Sequence, residues 1–257
     1  MPVATLERPS SVPILGVHVH RVTMAEALEH IEGFVRIGGP HQVVTLDSSM
    51  CVLADHDPEL HRIVMDADLV TPDSAGVLWA SRRTGAGLPE RVPGVDLVEK
   101  LCARSARTGL RIFFLGAAPG IAEAAAERMS ERYPGCRIVG AHHGFFSPDE
   151  DAAVVETIRQ ASPDVLCVAM GIPKQEKWIS RHRHDLHVPV LIGVGGTLDV
   201  LSGTVRRAPL WVQRLCLEWL YRLIRDPSKI RKVLILPRFV LMILRGRHRT
   251  RPTSPID

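Results

Sequence analysis

The chain has 257 residues, 46% apolar and 23% charged, with 20 Gly and 19 Pro, which excludes a disordered, collagen-like or disulfide-framework protein. Its five Cys form no CxxC pair, so reduced and mostly buried thiols are expected, as in a cytosolic protein. The net charge of +4 conceals an acidic body and a basic tail: residues 204–257 hold 13 Lys and Arg against 3 Asp and Glu, residues 1–203 hold 19 against 25, and such a tail suits an anionic partner.

Residues 1–13 lack the apolar segment of a secretory signal and read as a flexible N-terminal arm. Thr23 and Glu26 form a capping box ahead of a helical pattern through Ala27, Leu28, Ile31, Phe34 and Val35. Gln42 to Leu46 reads as a buried strand, and Asp57-Pro58 starts a helix. Asp68 to Thr71 is a short strand ending in Pro72-Asp73, and 74–83 is helical. A Gly/Pro-rich loop over 84–94 leads to a helix over 95–107. Then come a strand (Arg111 to Leu115), the turn Gly116-Ala-Ala-Pro-Gly120, a helix to Tyr133 and a strand from Cys136 to Gly140. Ser147 to Glu150 caps a helix to Ala161, Asp164 to Met170 is a strand, 173–184 a helix and 188–194 a strand. This alternation predicts an α/β, Rossmann-like parallel sheet over 14–204 with helices on both faces, and ligands beyond the carboxyl ends of its strands.

From residue 205 the pattern turns to basic amphipathic helices. Arg214, Glu218 and Arg222 form a narrow stripe on an apolar surface bearing Trp211, Trp219 and Tyr221, and Arg231, Arg238 and Arg245 recur every seven residues. Cationic flanks and interfacial aromatics fit the headgroup layer of a bilayer; the plainer reading is a core helix with snorkelling Arg. No uninterrupted stretch of about 18 apolar residues occurs, so no spanning helix is expected, and the longest apolar run, Val233 to Leu244, is broken by Pro237 and Arg238.

Several strand exits carry candidate chemistry. Gly116 and the Gly193–Asp199 turn could present backbone N–H groups to a phosphate, with Asp199 on ribose hydroxyls; either could also be a tight structural turn, and Asp199 a helix cap. No acidic residue ends the strand after Gly116, which argues against NAD, and no GxxxxGK[ST] occurs, so no cofactor is expected. Asp73 is placed as a general base or, equally, as an N-cap. Arg91 could bind an anion or be a solvated surface residue. Lys174 and Gln175 open a helix after Gly171, suited to phosphate or sugar hydroxyls or forming an ordinary polar turn. The Asp55/Asp57 and Asp66/Asp68 pairs could hold a metal, but Asp57 reads as a cap and Asp66 as a helix end, and no His/Cys set has zinc spacing, so none is expected.

Taken together, Val44-Thr-Leu-Asp47, Thr71-Pro-Asp-Ser-Ala-Gly76, Glu90-Arg-Val-Pro-Gly-Val-Asp96, Phe114-Leu-Gly116 and Tyr133-Pro-Gly135 make one set of motifs. With them stand His143-Gly-Phe-Phe146, Gly171-Ile-Pro-Lys-Gln-Glu-Lys-Trp178, Gly193-Val-Gly-Gly-Thr-Leu-Asp199, Arg207-Ala-Pro209 and Glu218-Trp-Leu-Tyr-Arg222. The chain thereby resembles the WecG/TagA/CpsF glycosyltransferases over roughly residues 14–240. The resemblance implies an inverting, metal-independent transfer of a sugar, of the N-acetylmannosamine type or another hexose, from a UDP-sugar to an undecaprenyl-diphosphate-linked sugar. It implies Asp73 as base, Thr45, Asp47, Arg91, Gln175 and Arg222 as substrate-binding, and Gly116, Phe145, Gly171, Gly195, Gly196 and Asp199 as lining the nucleotide. It also implies C-terminal helices on the membrane surface, so that the enzyme is cytoplasmic, peripheral on the inner face, and free to form a homo-oligomer. The sequence departs from the family's usual Asn, Gly and Tyr at Asp47, Ser74 and Phe145, and a second carboxylate at 47 could raise the pKa of one of the pair. One rival reading is a soluble sugar-nucleotide-binding protein whose basic helices contact a protein partner. Nucleic acid is not expected, because the tail has no basic strand interleaved with aromatics.

Overall fold

The computed structural model describes residues 7–83, 85, 87–209, 212, 221 and 235–246. A hairpin, β1 (Ser11–Ile14) and β2 (Val17–His20), comes first, then α1 (Met24–Ile37), β3 (His41–Leu46), α2 (Ser48–Ala54), α3 (Pro58–Asp66) and β4 (Leu69–Pro72). There follow α4 (Ala75–Arg83), α5 (Gly94–Thr108), β5 (Arg111–Gly116), α6 (Ile121–Arg132) and β6 (Arg137–His142). The body ends with α7 (Asp151–Ala161), β7 (Val165–Ala169), α8 (Lys174–His182), β8 (Val190–Gly193) and α9 (Thr197–Leu201), and α10 (Ile235–Leu244) lies near the C-terminus.

Six strands form one parallel sheet in the order β4-β3-β8-β7-β5-β6, as the alternation predicts. Successive strand residues face opposite sides. Val43, Leu69, Ile112, Phe114, Val165, Cys167, Val190 and Ile192 pack against α1, α5, α6 and α9. Their neighbours Val44, Leu46 and Val70 pack with α2, α3 and α4, and Phe113, Leu115, Leu166, Val168 and Leu191 with α7 and α8. The chain leaves β5 towards β6 but leaves β7 towards β8, in opposite directions along the sheet. The exits of these adjacent strands therefore form a topological switch point.

One expectation changes. The folded body begins before residue 14: Val12 and Ile14 of β1 are fully buried and Arg8 donates to Ala67 O at 2.7 Å, so residues 8–13 are not a loose arm. The hairpin escaped notice because Leu15-Gly16 turns with both φ positive, at 49° and 85°, and Leu is not a turn-signal residue. Near the C-terminus, Pro237 and Arg238, both exposed, lie within the described helix α10.

His20 covers the edge of the sheet: its Nδ1 accepts the Val70 N–H at 2.8 Å, a bond that needs the neutral ring. Burial, and then the charges of Arg8, His30 and His18, depress its pKa to about 4 from 6.5. The unfolded chain thus binds this proton more readily, so the contribution is intact above pH 6.5 and lost as pH falls toward 4. The expected result is a loss of about 3 kcal/mol over that window. Urea unfolding at pH 7 and pH 4.5 checks it; in His20→Gln the dependence should shrink by most of that amount.

Candidate active site

Asp47 and Asp73 leave adjacent parallel strands, since Leu46 is in register with Pro72 and the Asp73 N–H donates to Leu46 O at 2.9 Å. Asp73 does not cap the following helix. Ser74 takes that position, its Oγ accepting from Val77 N–H at 3.4 Å, and it also accepts from Ser48 N–H at 3.2 Å and meets Ser48 Oγ at 3.0 Å. The half-buried Asp73 carboxylate instead accepts the Gly94 N–H on Oδ1 at 3.1 Å. Arg91 Nε donates to Asp73 O at 3.1 Å and Val92 N–H to Pro72 O at 2.8 Å, so the 91–94 loop is fastened along the β4 exit. Of the two readings of Asp73, the cap is displaced by Ser74.

Asp47 is itself a cap, which the sequence reading missed along with α2. Its Oδ1 accepts Met50 N–H at 2.7 Å and the Ser49 hydroxyl at 2.6 Å. Its charge acts on groups beneath it: it adds to the burial that raises the Cys51 thiol, and to the burial that raises Glu176. Thr45 is buried under this rim and donates to Gly193 O at 2.7 Å.

The glycine turns differ from expectation in one respect. Gly171 and Gly195, with φ of 78° and 57°, do not present their N–H groups outward. Both donate to Gln175 Oε1, at 3.1 and 2.9 Å. The amides are turned inward because the buried Gln175 lies between the β7 and β8 exits and offers one oxygen with two lone pairs. What the turns do offer is bare backbone surface: a Cβ on Gly171 or Gly195 would meet nothing within 4 Å. Gly116 is a packing glycine, with φ 132° and the site of a Cβ only 2.3 Å from Ala169 O; the next amide, Ala117 N–H, is held by that same oxygen at 2.8 Å. Gly196 is the exposed N-cap of α9, and Asp199, half-buried, is its third residue rather than its cap.

Across the switch point, Gly144 packs on Gly116 and Ala117, and Lys174 Nζ donates to Gly144 O at 3.3 Å. Beside it Phe145 stands 71% exposed, a solvent-facing aromatic on the rim. The structure thus gathers Thr45, Asp47, Asp73, Arg91, Gly116, Phe145, Gly171, Gln175, Gly195, Gly196 and Asp199 along the carboxyl edge of the sheet. Arg222 lies outside the described residues, as do Trp211, Arg214, Glu218, Trp219 and Arg231. The Asp-x-Asp carboxylates are held elsewhere: Asp57 caps α3 and pairs with Lys177 at 2.7 Å, and Asp68 holds His41 and Gln42 N–H. Among the described residues no three His, Cys, Asp or Glu cluster as metal ligands.

Glu176 is the residue that sequence reasoning passed over as part of a polar first turn. It is fully buried, and burial pushes its carboxyl up to about 7 despite the Gln175 hydrogen bond. The signal was its spacing: Glu176 stands three residues before the buried Ile179 on α8.

The C-terminal segment returns to this edge. Arg207 forms a two-pronged ion pair with Asp96 of α5, one contact at 2.8 Å. In α10, Phe239, Met242 and Ile243 are buried against α2, and Phe239 lies beside Gly76. Arg238, Leu241, Leu244 and Arg245 face outward, Leu241 and Leu244 being 45% and 56% exposed, and Arg238 meets His56. No described helix is long and apolar enough to cross a membrane.

Comparison with known proteins accords with this geometry. The model of the Glycosyl transferase WecG/TagA/CpsF family matches residues 12–253. A Bacillus spizizenii protein named N-acetylglucosaminyldiphosphoundecaprenol N-acetyl-beta-D-mannosaminyltransferase is 34% identical over 203 residues, 79% of this chain and 78% of its own length. A Staphylococcus aureus (strain MW2) protein of the same name is 32% identical over 252 residues, 97% of this chain and 98% of its own.

Proposed function

The chain belongs to the WecG/TagA/CpsF family of glycosyltransferases, and on that premise we propose that it moves an N-acetylmannosamine-type sugar from a UDP-sugar to an undecaprenyl-diphosphate-linked N-acetylglucosamine, in teichoic-acid-type or related cell-surface polysaccharide synthesis. The observation that carries this reading is the Asp73 carboxylate, held by the Gly94 N–H at the mouth of a parallel sheet beside the helix cap Ser74. A sugar hydroxyl is a poor nucleophile at neutral pH, so Asp73 takes its proton as the oxygen attacks the anomeric carbon. One such displacement inverts the centre and calls for no enzyme nucleophile.

The departing UDP gains negative charge. Arg91, on the loop bound to the β4 exit, and Arg222 of the C-terminal segment would compensate it without a metal. The open glycine surfaces at 171 and 195 let a ligand approach the backbone closely, with Phe145 available to the base and Asp199 to the ribose. The outward face of α10, with leucines between arginines, supports peripheral contact with the inner face of the cell membrane, where a lipid diphosphate is presented.

The test is a panel of UDP-sugars with a short-chain lipid-diphosphate N-acetylglucosamine acceptor, run with and without EDTA. UDP release is expected to require the acceptor, to favour UDP-N-acetylmannosamine and to change less than twofold with chelator. Acceptor-independent release or no turnover would overturn the transferase reading, and a tenfold loss in EDTA would overturn metal independence.

A further inference from the structure

Glu176 is a costly residue to keep. It is fully buried between α8 and the sheet, and its Oε2 has no hydrogen-bond partner among the described residues. A buried acid with an orphan oxygen lowers stability, and α8 would pack as well with an apolar side chain there. Its other oxygen, Oε1, accepts from Gln175 Nε2 at 2.7 Å. Gly193 of β8 leaves room for this contact: a Cβ there would lie 2.8 Å from both Gln175 Nε2 and Glu176 Oε1.

The consequence concerns the direction in which the Gln175 amide faces. A glutamine amide has a donor end and an acceptor end of nearly the same shape, and its surroundings select the orientation. Glu176 Oε1 accepts a hydrogen bond whether the carboxyl is ionised or carries its proton on Oε2. Only the NH2 end of Gln175 can therefore face it, and Gln175 Oε1 must face Gly171 N–H and Gly195 N–H. Reversing the amide would set an NH2 against two N–H donors.

We propose that Glu176 is a positioning residue for the donor site: by orienting the Gln175 amide it ties the Gly171 and Gly195 turns together and holds their open faces ready for the nucleotide diphosphate. This rests on the reading above that those turns line the nucleotide. Glu176 touches no substrate and acts through Gln175 alone.

The full-length chain is titrated calorimetrically with UDP as wild type, Gln175→Ala, Glu176→Met and the double variant. Glu176→Met keeps the length of the side chain but has no acceptor, and it is expected to weaken UDP about tenfold. The double variant should bind no more weakly than Gln175→Ala alone, the coupling that defines action through a shared partner. In turnover, donor KM should rise with acceptor KM unchanged. Glu176→Gln restores an acceptor of the same shape that can also turn round, so it should recover UDP binding to within about threefold of wild type. It also carries the comparison if Glu176→Met does not fold, since binding by Glu176→Gln tighter than wild type or as weak as Gln175→Ala is incompatible with this role. Wild-type affinity in Glu176→Met, or losses that multiply in the double variant, would overturn the proposal while leaving the nucleotide site standing. If the wild type itself fails to bind UDP, the nucleotide reading falls and the proposal falls with it.

Discussion

Asp73→Asn is expected to reduce transfer by about 10²–10⁴-fold while UDP affinity stays within about threefold of wild type. Asn keeps the shape of the side chain, and its oxygen can still accept the Gly94 N–H that now reaches Oδ1 at 3.1 Å. The backbone links around it, Asp73 N–H to Leu46 O and Arg91 Nε to Asp73 O, do not depend on the carboxylate. What disappears is the ability to accept a proton at neutral pH. Steady-state turnover set beside calorimetric binding separates the two roles. A variant that turns over within tenfold of wild type would show that Asp73 is not the base; one that loses UDP binding as well would show that the carboxylate organises the site.

Replacing Leu241 and Leu244 together by Glu should lower binding to anionic liposomes at least tenfold with little change in Tm. Both side chains are already in water, so the folded protein loses little packing, whereas insertion into a headgroup layer would have to bury two carboxylates. Co-sedimentation against vesicles with and without anionic lipid is the measurement, and unchanged binding would refute this surface as the docking face. The buried side of the same helix must be left alone. Phe239 is fully buried in the core formed with Met50, Cys51 and Val77, so Phe239→Ala is expected to cost about 3–5 kcal/mol. Deleting the whole C-terminal segment would strip that core too, and loss of liposome binding would then not be specific.

Much of the architecture could be read from local pattern. The parallel sheet followed from buried apolar runs alternating with amphipathic ones, because strands covered on both faces need apolar residues at every position. Capping boxes at Thr23/Glu26 and Ser147/Glu150 appear where expected, since a cap joins residues three apart. What was missed depends on partners far along the chain. The β1–β2 hairpin is held by burial against β4 and α3, and α2 is a seven-residue helix whose apolar face is completed by α10, almost 200 positions later.

The site divides along the same line. That Asp47, Asp73, Gly171 and Gly195 stand at strand exits is a property of sequence order, because in a parallel sheet every strand ends on the same edge. Which hydrogen-bond partners each of them takes was decided by tertiary contacts. Ser74 took the cap that Asp73 could have filled, and Gln175, which seemed available to a substrate, drew in the two glycine amides. Glu176 became a buried acid through the same packing. A hydrogen bond exhausts a donor or acceptor wherever its partner lies in the chain, so spacing locates the groups of a site while only the assembled fold determines which remain to act.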